Sequence, residues 1–373
     1  MTQLGTGPLL LTTSDYRCRA QTALPPEVWD FIEGGAEDER TLEANERAFD
    51  RVRLRPRVLA GVPDADTSIS LFGTRYATPV GVAPTAYHRL VDDEGEVATA
   101  RGASAAGALF VVGMLASRTL EDVAAASSTG LWLQLYWLRR RDVMRSLVER
   151  AEAAGYGAVM LTVDVPRMGR RRRDMRNGFA IGGGVAAVNI DPGVMASAHV
   201  REPGQSALAR HTADAFDPSL SWADLAWLRG RTGLPLVLKG ILTAEDAELA
   251  VAHGADAIVV SNHGGRQLDG AVAGLDALAE VVDAAGGACP VLFDGGVRRG
   301  TDVLAALALG ARMALLGRPP LWGLAVGGAD GVAGVLRTVT EELAHAMVLS
   351  GRATPGALDR TAVRMSSIAG GDA

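Results

Sequence analysis

The decapeptide Ser261-Asn262-His263-Gly264-Gly265-Arg266-Gln267-Leu268-Asp269-Gly270 sets an imidazole and a guanidinium on either side of two glycines. It follows the apolar run AIVV at 257–260, which reads as a buried strand. A strand ending this way presents an acid–base group and a fixed cation at one edge of a sheet. The glycines let the backbone turn sharply there, or let a flat ligand approach it. A second cation, Lys239, closes the otherwise apolar run at 234–240.

Two further loops carry a phosphate signal. Asp294-Gly295-Gly296-Val297-Arg298-Arg299-Gly300 follows one apolar run and Gly317-Arg318 follows the next. Backbone amides freed by glycine, together with Arg298 and Arg318, make a phosphate site of the kind that barrels build after their last two strands. No GxGxxG fingerprint follows a strand, so FMN is favoured over NAD.

These residues need a scaffold that brings strand ends together. Eight short apolar runs recur, at 78–84, 108–113, 131–136, 158–164, 234–240, 257–263, 290–296 and 313–319, each closing in small or polar residues. Stretches with apolar residues at helical spacing lie between most of them, as at 243–253 and 301–310. Continuous rather than alternating apolar strands imply burial on both faces, as in a parallel sheet. Eight strand–helix units predict an α/β fold of the (β/α)₈ TIM-barrel type, with an open doubly wound sheet as the rival. Gln134, Tyr136, Asp164, Lys239, His263, Asp294 and Arg318 all fall at or just past strand ends. A barrel gathers those ends at one mouth, whereas an open sheet gathers only those near its switch point.

The 373 residues, 48% hydrophobic and 21% charged, are ordinary for a globular protein, and one barrel domain accounts for the length. The expected organisation is a single domain. An N-terminal helical segment occupies 1–77, with a helical pattern from 25 to 49, and a barrel spans 78–340. A lid or insertion at 165–221 is expected to be mobile over about 180–212, and a C-terminal helix and tail fill 341–373. A net charge of −6 gives no support to nucleic acid or an anionic membrane as partner. The four arginines at 170–173 are a short run on an acidic chain and change that little. No apolar run approaches the ~18 residues of a membrane span, and no signal peptide is evident. Cys18 and Cys289 have no metal-like spacing, so no metal is expected, and free thiols suit the cytoplasm.

The decapeptide, the segment LTVDVPRMGRR at 161–171 and the N-terminal LPPEVWDFIEGGAEDE together resemble the FMN-dependent α-hydroxy acid oxidases and dehydrogenases, over nearly the whole chain. The resemblance implies oxidation of an (S)-2-hydroxy acid to the 2-oxo acid, with dioxygen reduced to hydrogen peroxide in the oxidases. It makes His263 the catalytic base, which an imidazole near neutral pKa can be, and Asp164 its partner. Arg171 and Arg266 become the clamp for the substrate carboxylate, and Tyr136 a hydroxyl that touches substrate. Gln134 and Thr162 match residues bonded to the flavin ring, Lys239 a cation beside the ring, and Pro84-Thr85-Ala86 the segment along it. Ser261, Gly113, Asp294, Gly295, Gly296, Arg298, Gly317 and Arg318 complete the cofactor set. Ala86 tilts the choice towards an oxidase, and relatives are often tetramers.

The chain departs from the glycolate-type pattern at three positions. Phe31 stands where those relatives carry tyrosine, Leu115 where they carry tryptophan, and Gly113 where they carry serine. These replacements free volume and remove two hydroxyls, which suits an aromatic side chain on the substrate. Together with Tyr87-His88-Arg89-Leu90 and the segment at 174–179, this resembles the branch that oxidises (S)-4-hydroxymandelate for 4-hydroxyphenylglycine in glycopeptide-type antibiotics. A glycolate or lactate oxidase, a monooxygenase or a mandelate dehydrogenase of the same family stays open. Outside it stand a non-redox FMN barrel isomerase and an inactive binding barrel.

Overall fold

The structure, a computed structural model, describes residues 9–182, 184–190 and 207–366. Eight strands form a closed barrel: β4 (Val80–Val82), β5 (Phe110–Gly113), β6 (Leu131–Leu135), β7 (Val159–Thr162), β8 (Leu236–Ile241), β9 (Ala257–Val260), β10 (Val291–Asp294) and β11 (Met313–Leu316). All neighbours run parallel, and β11 closes onto β4 through Ala314 opposite Val80. Each strand is shorter than its apolar run, while Gly113, Lys239 and Asp294 stay within their strands at or near the C-terminal end.

Burial on both faces explains the continuous runs. In β9, Ala257 and Val259 face the barrel interior with Leu292, Met313 and Leu315, while Ile258 and Val260 join the larger core beneath the helices. Such alternation is the period of a strand, with water on neither side. The hairpin β2 (Ile69–Leu71) and β3 (Thr74–Tyr76) closes the end away from the loops that carry chemistry. Its Ile69, Leu71 and Tyr76 belong to the interior cluster, and Phe72 at the turn lies 5.5 Å from the Trp132 ring.

Helices α4 (Glu96–Ala105), α5 (Leu120–Ala125), α6 (Arg141–Ala153), α7 (Arg172–Asn177), α8 (Ala207–Ala215), α9 (Leu225–Arg229), α10 (Ala244–Ala252), α11 (Gly274–Ala285) and α12 (Gly300–Ala308) lie between strands. Thr119 and Thr243 cap α5 and α10 by accepting from the amides of Asp122 and Asp246. Before the barrel come three helices, α1 (Thr13–Ala23), α2 (Pro26–Glu33) and α3 (Arg40–Asp50). The helical pattern at 25–49 is therefore broken, where the glycines 34 and 35 end α2. Strand β1 (Val52–Leu54) pairs antiparallel with β12 (Val363–Met365) and ties this segment to the C-terminal end of the described chain. The insertion at 165–221 contains α7 and α8, and the span 191–206, where mobility is expected, lies outside the described residues.

The last helix begins earlier than residue 341. Helix α13 (Arg318–Leu349) is two helical halves parted by the non-helical Gly327 and Gly328, where the chain folds back and the halves pack together. Gly323 and Gly331 meet backbone to backbone at that fold, and a Cβ on either would collide with the other's carbonyl. Gly331→Ala should therefore destabilise the protein by roughly 1–3 kcal/mol through overpacking, seen as a lower melting temperature in calorimetry. Unchanged melting would show that the two halves can part at no cost.

Candidate active site

Past the end of β9 the chain turns on three successive left-handed residues, His263, Gly264 and Gly265, with φ of +60°, +63° and +76°. A side chain in that region costs on the order of 1–3 kcal/mol and persists only where neighbours impose it. Here they do. The His263 amide donates to Ser261 Oγ (3.0 Å), and the Gly265 amide donates to the Asn262 side-chain oxygen (3.2 Å). Asn262 and Asn45 of α3 exchange amide hydrogen bonds of 2.8 Å each, and Asp269 accepts from the amides of Asp38 and Thr41. The polar residues of the decapeptide thus clamp its loop to α3 and aim His263 over the barrel.

His263 Nδ1 lies 3.0 Å from Asp164 Oδ1, at the end of β7. Gln267 fixes the aspartate's loop by donating to the carbonyls of Asp164 and Arg167. Strand β8 passes close enough that a Cβ on Gly240 would meet Asp164, so glycine is required there. Burial pushes the His263 pKa below its usual 6.5, outweighing the pull of Asp164 in the other direction. Burial alone would raise the Asp164 carboxyl, but His263 and Lys239 hold it below the usual carboxylate range. Ionised Asp164 fixes the ring proton on Nδ1 and leaves Nε2 as a lone pair, 3.4 Å from the Tyr136 hydroxyl. Tyr136 is itself stacked on Phe216 at 4.7 Å.

Two guanidinium groups flank this base. Arg171 precedes α7 and is 8% exposed, with its Nε unpartnered. Arg266 donates to the carbonyls of Gly34 (2.6 Å) and Ile32 (3.3 Å) at the end of α2, and its guanidinium lies 5.4 Å from the Phe31 ring centre. Phe31 in turn stacks on Phe179 at 4.6 Å, so the phenylalanine offers a ring face and no hydroxyl. Burial lowers both arginines' pKa, and Arg171 and Arg318 lower that of Arg266 further. Their sequence neighbours behave differently: Arg170, Arg172 and Arg173 make ion pairs with Glu37, Asp38, Asp30 and Glu39.

A cavity of about 160 Å³ opens between these groups and the last two loops. Pro84, Thr85, Ala86, Leu115, Lys239 and Phe31 line it, as do Gly295, Gly296, Arg298, Gly317 and Arg318. Asp164, Gly113, Gln134, Thr162 and Ser261 are not on its wall but stand one layer behind. Gln134 donates to Thr162 Oγ (2.9 Å), and Lys239 donates to Ser261 Oγ (2.8 Å) while pairing with Asp294 (3.0 Å). Sequence reasoning missed Val165, Met168, Thr212 and Phe216, which close the cavity from the insertion. These are ordinary apolar and small residues in a segment without periodicity, and only folding brings them to the mouth.

The donor set fits a phosphate joined to a flat ring. Arg318 opens α13, so its guanidinium and the backbone amides of Gly317 and Arg318 lie beside the glycine turn at 295–296, whereas Pro319 and Pro320, which follow, have no N–H to offer. A Cβ on Gly317 would project into open space, which leaves that backbone approachable. Burial lowers the Arg318 pKa to about 10, so the group stays a cation. Along the other wall, Lys239 is a buried cation whose pKa is held up by Asp294 and Asp164 against the effect of burial.

Comparison with known proteins agrees with this arrangement. A family model described as FMN-dependent dehydrogenase matches residues 20–365. The chain is 49% identical to 4-hydroxymandelate oxidase of Amycolatopsis orientalis over 358 residues, 96% of this chain and 99% of that protein. It is 47% identical to an L-lactate oxidase of Nostoc sp. over 342 residues, 90% and 93% of the two chains. A crystal structure of mandelate oxidase with (S)-4-hydroxymandelic acid superposes with a TM-score of 0.93 at 48% identity, covering 96% of this chain and 100% of that one.

Breaking the Lys239–Asp294 pair tests how far the site depends on it. Removal of one partner of a buried pair typically costs about 3–5 kcal/mol, because the other charge is stranded. Lys239→Met should lower the denaturant midpoint of the apoprotein accordingly, and adding Asp294→Leu should restore part of the loss. A single mutant as stable as wild type would mean that water reaches the pair.

Proposed function

The chain belongs to the FMN-dependent dehydrogenase family and uses FMN, and we propose that it is an oxidase for an (S)-2-hydroxy acid bearing an aryl ring, such as mandelate or 4-hydroxymandelate. The family assignment removes support for a non-redox isomerase or an inactive barrel. The observation that carries the reading is the composition of one cavity. The His263–Asp164 pair and the guanidiniums of Arg171 and Arg266 stand against walls formed by Leu115, Val165, Met168 and Phe216. We place the protein in the cytoplasm on its two unpaired cysteines, and the family resemblance supports a homotetramer.

In this reading Gly295, Gly296, Arg298, Gly317 and Arg318 would hold the phosphate of FMN, and Pro84–Ala86 and Lys239 would hold its ring. Gln134 and Thr162 hold the ring from behind. Bound there, FMN would supply a two-electron acceptor for the substrate's Cα–O unit, with dioxygen as the final oxidant and peroxide as the product. Arg171 and Arg266 bind the carboxylate bidentately, which fixes the hydroxyl-bearing carbon in one orientation. His263 takes a substrate proton at Nε2. Asp164, at Nδ1, offsets the charge that the imidazole then carries. Tyr136 directs its hydroxyl to the same point. The insertion residues keep water from the reacting carbon.

The acid limb of the rate follows from the direction of the His263 shift. A base must be unprotonated, so kcat/KM should be full above the His263 pKa and fall as pH drops through it, below 6.5. Asp164→Asn removes a group that raises that pKa, so the limb should move to lower pH. The protonated ring also loses its counter-charge, so kcat/KM should fall by about 10²–10⁴-fold. A limb that stays in place, measured over a pH range in which the substrate does not ionise, would remove Asp164 from this role.

Substrate choice is the direct test of the proposal. An aryl ring buried against the cavity's apolar walls is worth roughly 1.5–3 kcal/mol, or about 10- to 150-fold in specificity. Aerobic turnover with a panel of 2-hydroxy acids should therefore give a higher kcat/KM for mandelate and 4-hydroxymandelate than for glycolate or lactate. Peroxide and the 2-oxo acid should appear in equal amounts. Leu115→Trp should erode the preference by refilling the space. Preference for glycolate or lactate in the wild type would favour the short-chain reading instead.

A further inference from the structure

The loop after β10 has few backbone donors to spare for a phosphate. Asp302, in the first turn of α12, accepts from the amides of Arg298 (2.8 Å) and Arg299 (2.9 Å), and Glu342 of α13 accepts from the amide of Gly300 (2.7 Å). What the loop brings to the cavity is therefore its glycine turn and the Arg298 guanidinium, and that guanidinium is already shared. It donates to the carboxylate of Glu46 in α3 (2.7 Å) and to the Val297 carbonyl (2.9 Å), and lies 5.1 Å from the Trp322 ring centre. Glu46 stands half in solvent, on a groove that also borders Gly296 and Arg298 from the side away from the cavity wall. Its charge reaches the second guanidinium as well: burial lowers the Arg318 pKa, and Glu33 and Glu46 act against that fall. Glu33 is taken up by Arg17 and the Trp322 indole. Glu46 faces the phosphate end with no partner printed there but Arg298.

We propose that Glu46 competes with the phosphate of FMN for Arg298, and so holds the cofactor more loosely than the arginines alone would. A phosphate monoester carries close to two negative charges at neutral pH, and it repels a carboxylate that faces the same guanidinium. Glu46→Gln separates this effect from positioning. The amide oxygen accepts from Arg298 as the carboxylate does, so the hydrogen bond is kept while the charge is removed. Riboflavin has the same ring and no phosphate, and its binding is indifferent to the change. The inference rests on the reading that Arg298 and Arg318 hold the phosphate of FMN, and not on which hydroxy acid is oxidised.

The test is the dissociation constant of FMN and of riboflavin, measured by quenching of flavin fluorescence as each is titrated with the full chain stripped of cofactor. Glu46→Gln should bind FMN about 3- to 10-fold more tightly than wild type at low salt. Riboflavin affinity should stay the same, and the gain for FMN should shrink towards nothing in about 1 M salt, where the screening length is about 3 Å. Unchanged or weaker FMN binding by Glu46→Gln would overturn the proposal, the weaker case making Glu46 a support for Arg298. An equal gain for riboflavin, or a gain that survives high salt, would overturn it too. Wild-type protein that binds riboflavin as tightly as FMN would show that the phosphate site itself is misread, and the proposal would fall with it. If the stripped protein does not take up flavin again, the rate of FMN release from the diluted holoenzyme carries the test. Release should then be slower in Glu46→Gln by a similar factor, and an equal or faster rate would refute the competition.

Discussion

Arg171, Lys239, Arg266 and Arg318 lie together at the mouth of the barrel, largely out of water, and a buried cation is tolerated only where partners offset its lost hydration. The chain supplies some of these partners itself. Asp294 pairs with Lys239, and the carbonyls at the C-terminal end of α2 accept from Arg266 and Arg318. Asp164 is committed to His263. The remaining positive charge suits a site that takes up two anions, a phosphate on one side and a carboxylate on the other. That one constraint explains why the N-terminal helices are needed. Without α2 two guanidiniums would lose their acceptors, and without α3 the His263 loop would lose Asn45.

The same low-dielectric setting tunes the base. Burial pushes His263 towards its neutral form, the form that can take a proton, while Asp164 keeps the protonated form within reach. The two effects oppose each other, which is how a histidine is held ready near neutral pH. Burial also holds His88 below its usual pKa, but that ring is turned inward, between the hydroxyls of Thr85 and Thr99 and against the Phe110 ring. One imidazole thus faces the cavity and the other is closed inside the protein. The difference comes from position on the barrel, not from residue type.

Specificity is separated from this machinery. The groups that handle charge and protons sit at strand ends or in the short loops that follow them, where the barrel fixes their spacing. Those that shape the apolar side of the cavity, Met168, Thr212 and Phe216, come from the insertion between β7 and β8. A long connection can change its lining without disturbing the strand ends. The aromatic pair Phe31–Phe179 joins the two regions, since α2 supplies one ring and the second residue after α7 the other.

Barrel architecture and most of the charged site were readable from the chain because both follow local rules. Short apolar runs that recur eight times with helical stretches between most of them read as strands buried on both faces, and the residue that closes such a run lands at or near a strand end. His263, Asp164, Lys239, Asp294 and Arg318 were located in that way, and the glycine loops declared a phosphate site. What the sequence could not provide was anything that depends on which distant segments meet. The left-handed backbone at His263 is imposed by Asn45 and Ser261. The true extent of α13 depends on two glycines that allow its halves to touch. The roles of Gln267 and Asn262 as clamps and the cavity lining from the insertion both arise from contacts between residues far apart in the chain. Periodicity carries no information about such contacts, because they are decided by packing after the strands have closed.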